Sequence, residues 1–148
     1  MRWDVGALVC AIAAVVSMQF AGAQGRPFHP VTDAMVSNPS ADDWLAWRGT
    51  TKSLGYSPLT QVNRTNVRQL QLAWSWAMDP GSQEVAPIVH DGIMYLHGPG
   101  ALVVQALDAA TGELLWEYQH QLPEQMRQRA AGAGLRGISI YDDKIFVN

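Results

Sequence analysis

Enzyme chemistry needs nucleophiles, metal ligands or paired acids and bases, and this 148-residue chain offers few of them. Its four histidines, His29, His90, His97 and His120, lack the short spacing that aims two imidazoles at one metal ion. His90 and His97 flank one expected hairpin, and surface or strand-end positions suit them. Asp142-Asp143 is a carboxylate pair in sequence only, because neighbours at a strand end point apart; it reads as a turn former. The sole cysteine, Cys10, falls in an N-terminal leader, so thiol catalysis, disulfides and cysteine metal sites are excluded from the mature chain. No catalytic residue and no metal ligand can be assigned. Two charged residues stand out by position: Glu84, which follows Gly81-Ser82-Gln83 just ahead of a strand, and Arg136, which opens another. Taken singly, the first reads as a solvent-facing turn residue and the second as a surface loop cation.

The elements that would position these residues are mostly strands. Gln71–Ala77 alternates, with Leu72, Trp74 and Trp76 on one side, and reads as a half-buried strand closed by Asp79-Pro80-Gly81. Val85–His90 and Ile93–His97 follow around Asp91-Gly92, a strong two-residue hairpin signal. Gly98-Pro99-Gly100 turns the chain into Leu102–Leu107, and Glu113–Tyr118 returns. Ile138–Tyr141 and Lys144–Val147 form a further hairpin around Asp142-Asp143. Helical signals are short. Ser40 with Asp43 opens a short helix or turn that places Trp44 and Trp47 on one face. Thr60 or Asn63 caps one turn through Val67, and Pro123 begins a short helix to Arg129. Gly49–Leu59 is loop.

The N-terminus is a separate object. Arg2, an apolar run from Gly6 to Val16 and Ala21-Gly22-Ala23 have the layout of a secretory signal peptide cleaved after Ala23. The run is short for a membrane span, so no integral segment is expected after cleavage. Residues 24–43, with three prolines before Ser40, read as an extended arm, and residues 44–148 as the folded part. A formal net charge of −3 and no basic stripe exclude a nucleic-acid partner.

The most telling stretch is Ala106-Leu107-Asp108-Ala109-Ala110-Thr111-Gly112-Glu113-Leu114-Leu115-Trp116. It is strand, tight turn, strand. Asp108 can cap the turn through its side chain, and Gly112 allows a backbone conformation that other residues resist. Ala106 and Gly112 are small enough to leave space for an indole from a neighbouring unit. Ala106, Asp108, Thr111, Gly112 and Trp116 resemble the tryptophan-docking motif of quinoprotein β-propellers. Trp47-Arg48-Gly49, Tyr56-Ser57-Pro58-Leu59, Asn63 through Asn66-Val67, and Ala73-Trp74 resemble the opening segment of PQQ-dependent alcohol dehydrogenases of the methanol/ethanol kind. Glu84 through Val89, Asp91-Gly92 and Met94-Tyr95 are similar to their first blade, and Arg136-Gly137-Ile138 with Lys144-Ile145-Phe146 to the start of the next.

The resemblance implies an all-β fold: the first blade and the start of the second from an eight-bladed propeller. It implies pyrroloquinoline quinone (PQQ) as cofactor with Ca2+ beside it, a small alcohol as substrate, a cytochrome c as electron acceptor and a periplasmic location. Glu84 matches the family's Glu near the cofactor carboxylates, and Arg136 its cofactor-binding Arg, whose fork suits a carboxylate or quinone oxygen. The catalytic Asp and the calcium ligands lie later in the family's sequence, so the chain by itself is expected to be inactive and to depend on the remainder of the propeller. One departure is plain. Many members carry a vicinal cysteine pair shortly before the matching Arg, and here that region reads Arg129-Ala130-Ala131-Gly132-Ala133-Gly134-Leu135. A non-enzymatic propeller scaffold of the cell envelope shares the docking motif and is the alternative.

Overall fold

The computed structural model describes residues 28–80, 86–98, 103–121, 123, 125 and 137–147. The leader at 1–23, Glu84, Arg136 and nearly all of the helix expected at 123–129 lie outside these residues. A four-stranded antiparallel sheet runs in chain order through β1 (Ile88–His90), β2 (Ile93–His97), β3 (Val103–Asp108) and β4 (Leu114–Gln119). β5 (Ile138–Tyr141) and β6 (Lys144–Val147) form a separate two-stranded hairpin, and β5 lies against β1.

Period-two patterning explains the sheet. Ile88 and His90 on β1, and Ile93, Tyr95 and His97 on β2, alternate with half-buried neighbours. Such alternation buries one face. Asp91 and Gly92 have φ of 52° and 71°. That is the left-handed pair a type I′ turn requires, and it matches the twist of the flanking strands. The register follows, with His90 opposite Ile93 and Ile88 opposite Tyr95. Ile138 and Ile140 carry the same alternation on β5 and join Ile88, Tyr95 and Ala106 in one apolar cluster. Each fully buried aliphatic side chain there contributes about 1.5–3 kcal/mol.

The two edges of the sheet differ. Trp44 pairs with Val89 through two backbone hydrogen bonds of 2.8 and 2.9 Å, so one residue covers the β1 edge. At the other edge every residue of β4 is exposed.

Several expectations need correction. The arm is not extended throughout: α1 (Asp33–Ser37) interrupts it, started by Thr32, whose hydroxyl accepts from the Met35 N–H at 3.4 Å. The arm is tied to the sheet, because Val31 is buried and exchanges backbone hydrogen bonds with Asp142. Of the helix or turn expected at Ser40 and Asp43, the structure has the turn, with the Asp43 N–H donating to the Ser40 carbonyl at 3.1 Å. Trp44 and Trp47 therefore share no face; Trp47 is exposed, with the Arg48 guanidinium over its ring. Asn63, by contrast, does cap one turn through Val67: its side-chain oxygen accepts from the Thr65 N–H and its carbonyl from the Val67 N–H, both at 2.9 Å, and a 3₁₀ turn at Val67–Gln69 continues from it. Gln71–Ala77 forms no strand among the described residues. Its alternation is real, since Trp74, Trp76 and Met78 are half-buried while Leu72 is exposed. The indoles lie against the sheet instead of the backbone entering its ladder.

Candidate functional site

The turn between β3 and β4 is built around Asp108. One oxygen of its carboxylate accepts from the backbone N–H of Ala110 at 2.8 Å and of Thr111 at 2.9 Å. Its backbone completes the loop, accepting from the Gly112 N–H and donating to the Glu113 carbonyl, both at 2.8 Å. The Thr111 hydroxyl accepts from the Glu113 N–H, and the Ala109 N–H ties the loop to the β1–β2 turn through the Gly92 carbonyl at 2.9 Å. Gly112 has φ of 74°, a region that L side chains avoid.

The space above Gly112 is filled by an indole. A Cβ on Gly112 would stand 2.6 Å from the Trp74 ring, closer than atoms can approach. Trp74 Nε1 donates to the Ala109 carbonyl at 3.2 Å, and Trp76 Nε1 donates to the Gln105 side chain at 3.0 Å. The chain before β1 is thereby fixed to β3 and its following turn by two indole N–H groups. Ala106 is fully buried and sits opposite Trp116 in the register. Trp116 itself stays 42% exposed, tilted against Tyr95 at 6.0 Å between ring centroids. Of the five motif residues, Asp108, Thr111 and Gly112 build the turn, Ala106 packs beneath, and Trp116 presents its ring outward.

Two histidines take the strand-end positions that the sequence allows them, but deeply buried rather than at the surface. His90 and His97 end β1 and β2 with essentially no exposure, at opposite ends of β2 by register. Burial pushes the His97 imidazole down, outweighing a hydrogen bond involving Gly98, which favours its charged form. Burial likewise pushes the Tyr95 phenol up, and the nearby Asp91 charge adds to it. His90 lies among Asp43, Asp91 and the carbonyl of His29. Asp91 is held below the ordinary carboxylate value of 3.8. Burial acts against this, but the backbone and ring of His29 and the charge of His90 outweigh it. A cleft of about 300 Å³ between Ser40 and Tyr56 adds Asp43, Trp44, Thr50 and Lys52 to its lining. Among the described residues no three acids, histidines or cysteines gather to hold a metal ion, and no helix is long and apolar enough to cross a membrane.

The family model described as "Glucose/ethanol/alcohol dehydrogenase, beta-propeller domain", of the PQQ type, matches residues 44–145. The chain belongs to this PQQ-dependent dehydrogenase propeller family. In that setting β1–β4 is one propeller blade and β5–β6 part of the next. Among curated relatives, the quinohemoprotein alcohol dehydrogenase ADH-IIG of Pseudomonas putida is 41% identical over 110 residues, 71% of this chain and 15% of that protein. The 1-butanol dehydrogenase (cytochrome c) of Thauera butanivorans is 37% identical over 94 residues, 62% of this chain and 14% of that protein. The solved structure of ADHIIG from Pseudomonas putida HK5 superposes with a TM-score of 0.69 at 38% identity, covering 80% of this chain and 18% of that one. A europium-containing methanol dehydrogenase gives 0.64 at 28% identity, covering 77% and 20%. The chain thus spans about 15% of the length of such curated relatives.

Proposed function

We propose that this chain is the N-terminal portion of an exported, PQQ-dependent dehydrogenase that oxidises a small alcohol and passes the electrons to a cytochrome c. The observation that carries this reading is the match of residues 44–145 to the dehydrogenase propeller, over the same residues that fold as a blade and part of its neighbour. The name of the Thauera relative includes both an alcohol and cytochrome c, which supports the substrate class and the acceptor. The leader-like residues 1–23 support export to the periplasm with cleavage after Ala23.

PQQ is an anionic tricarboxylate with a reactive ortho-quinone, and when bound it supplies the site that accepts hydride. Glu84 and Arg136 are the residues of this chain proposed to face it. They precede β1 and β5, two strands that lie against each other. The guanidinium would bind a cofactor oxygen through two parallel hydrogen bonds, and Glu84 would accept from neighbouring donors and orient the site. A calcium ion beside the cofactor would draw its ligands, and the reaction its proton-accepting carboxylate, from residues later in the longer relatives. The 148-residue chain alone is therefore expected not to oxidise alcohols. Ala106, Asp108, Thr111, Gly112 and Trp116 would act as the docking motif, Gly112 receiving the Trp74 indole and Trp116 offering its own to the following blade.

The test is PQQ binding to the full chain, followed by quenching of tryptophan fluorescence. Saturable quenching is expected, weakened about tenfold or more in Arg136→Ala. Equal quenching in wild type and Arg136→Ala would remove Arg136 from the site. Saturable binding with no alcohol-dependent dye reduction by the chain alone is the expected pattern, and turnover by it would overturn the inactivity.

A further inference from the structure

The arm grips two hairpins that lie against each other without bonding. Among the described residues the β1–β4 sheet and the β5–β6 hairpin share no backbone hydrogen bond. They meet through apolar side chains, Ile88 on one side and Ile138 and Ile140 on the other. Such contact is non-directional, so it holds the two sheets together without fixing how one sits on the other. The arm supplies the directional bonds. At the first hairpin, the His29 N–H donates to Asp91 Oδ2 at 3.0 Å, and His90 Nε2 donates to the His29 carbonyl at 2.7 Å. Phe28 lies edge-on to the His90 ring, centroids 5.7 Å apart. At the second, Val31 and Asp142 exchange backbone bonds of 2.9 and 2.8 Å, and the Tyr141 hydroxyl donates to Asp33 at 2.9 Å. Val31 is 1% exposed, and its side chain joins the apolar cluster that both sheets share.

We propose that residues 28–33 form a clasp between the blade and its neighbour, and that His29 and Val31 are thereby positioning residues for the cofactor. The second half of this rests on the reading of Glu84 and Arg136 as cofactor-facing. Asp91 directly follows β1, and Asp142 directly follows β5. Glu84 and Arg136 precede the same two strands in sequence. The clasp therefore ties the trailing ends of the two strands whose leading ends carry the proposed cofactor residues. Each hairpin is a hydrogen-bonded ladder that moves as a unit, so tying the turns sets how one whole hairpin sits on the other. A carboxylate and a guanidinium fork borne on separate sheets need that relation held, because hydrogen bonds weaken steeply when misaligned. The arm sets it from the opposite end of both strands.

The experiment uses the full chain with nitroxides attached at Gln119→Cys and Ser139→Cys, exposed positions on the two sheets, in a Cys10→Ser background. Distances between the labels read how the sheets sit, and tryptophan quenching by PQQ reads the cofactor site. Asp91→Gly tolerates the positive φ of the turn and removes the carboxylate that holds the arm. It should broaden the distance distribution and weaken PQQ binding about fivefold. Asp91→Asn, which keeps an oxygen for the His29 N–H, should restore both. Tyr141→Phe, at an exposed position, removes only the bond to Asp33 and should broaden the distances by less. Unchanged distances in both Asp91→Gly and Tyr141→Phe overturn the clasp. Broadened distances with unchanged PQQ affinity overturn the positioning role, as does a loss of affinity that Asp91→Asn fails to restore. If the wild type itself does not bind PQQ, the cofactor reading falls instead, and the distances alone decide the clasp.

Discussion

The two hairpin turns use similar residues and are held very differently. Asp91-Gly92 and Asp142-Asp143 each put an aspartate at positive φ, 52° and 53°. In the first turn the next residue is a glycine, also at positive φ, and the aspartate is half-buried against His29 and His90. In the second, both aspartates are exposed, and their carboxylates share the Lys144 ammonium. One arm touches both: His29 binds the Asp91 carboxylate, and Val31 pairs with the Asp142 backbone. Turn chemistry thus fixes local geometry in both hairpins, and both hold the arm, the half-buried turn through its carboxylate and the exposed one through its backbone.

Three measurements separate the hairpins. Ile88→Ala, beneath the first turn, should lower the unfolding free energy by about 2–5 kcal/mol through lost burial and a cavity. Phe146→Ala on the half-exposed second hairpin should cost far less, and equal denaturant midpoints would erase the contrast. Gly92→Ala should cost about 1 kcal/mol, because alanine resists positive φ. Asp142→Gly relieves the same strain and should leave the thermal midpoint unchanged or raised. The third measurement is acid. Stability from a depressed carboxylate is present above its ordinary value of 3.8 and is lost as pH falls through the lower folded value. Protection of the His29 amide should fall in that window even in about 1 M salt, since Asp91 is held by hydrogen bonds as well as charge. Asp143, depressed chiefly by its Lys144 hydrogen bond and charge, sits in open water. Its contribution should vanish in the same salt, as judged by the denaturant midpoint.

The hairpins were legible because turn residues and period-two alternation are local signals. Ile93–His97, Ile138–Tyr141 and Lys144–Val147 fall where the pattern puts them. The same alternation contained the burial of His90 and His97, since Ile88 and His90 share a face, as do Ile93, Tyr95 and His97. Reading the two imidazoles as surface or strand-end groups found their place in the strands but not their burial. The His90 partners were not legible, because Asp43 and His29 lie 47 and 61 residues away. Trp74 shows the opposite error: its alternation was visible, and so was the space for an indole at Gly112, but not that its backbone would stay out of the ladder and its own indole fill that space. Only the resemblance singled out Glu84 and Arg136, which no local pattern distinguished from surface charge and which lie outside the described residues.

The arm also imposes an order of events. Hairpins close over a few residues, whereas Tyr141 reaches Asp33 across 108 residues of chain. Loop-closure entropy makes such a contact slow to form until the intervening sheet has already shortened the path. The arm should therefore settle last during folding and be the first part to open when the protein is pulled or warmed, making residues 28–33 a natural reporter of whether the blade behind them is complete.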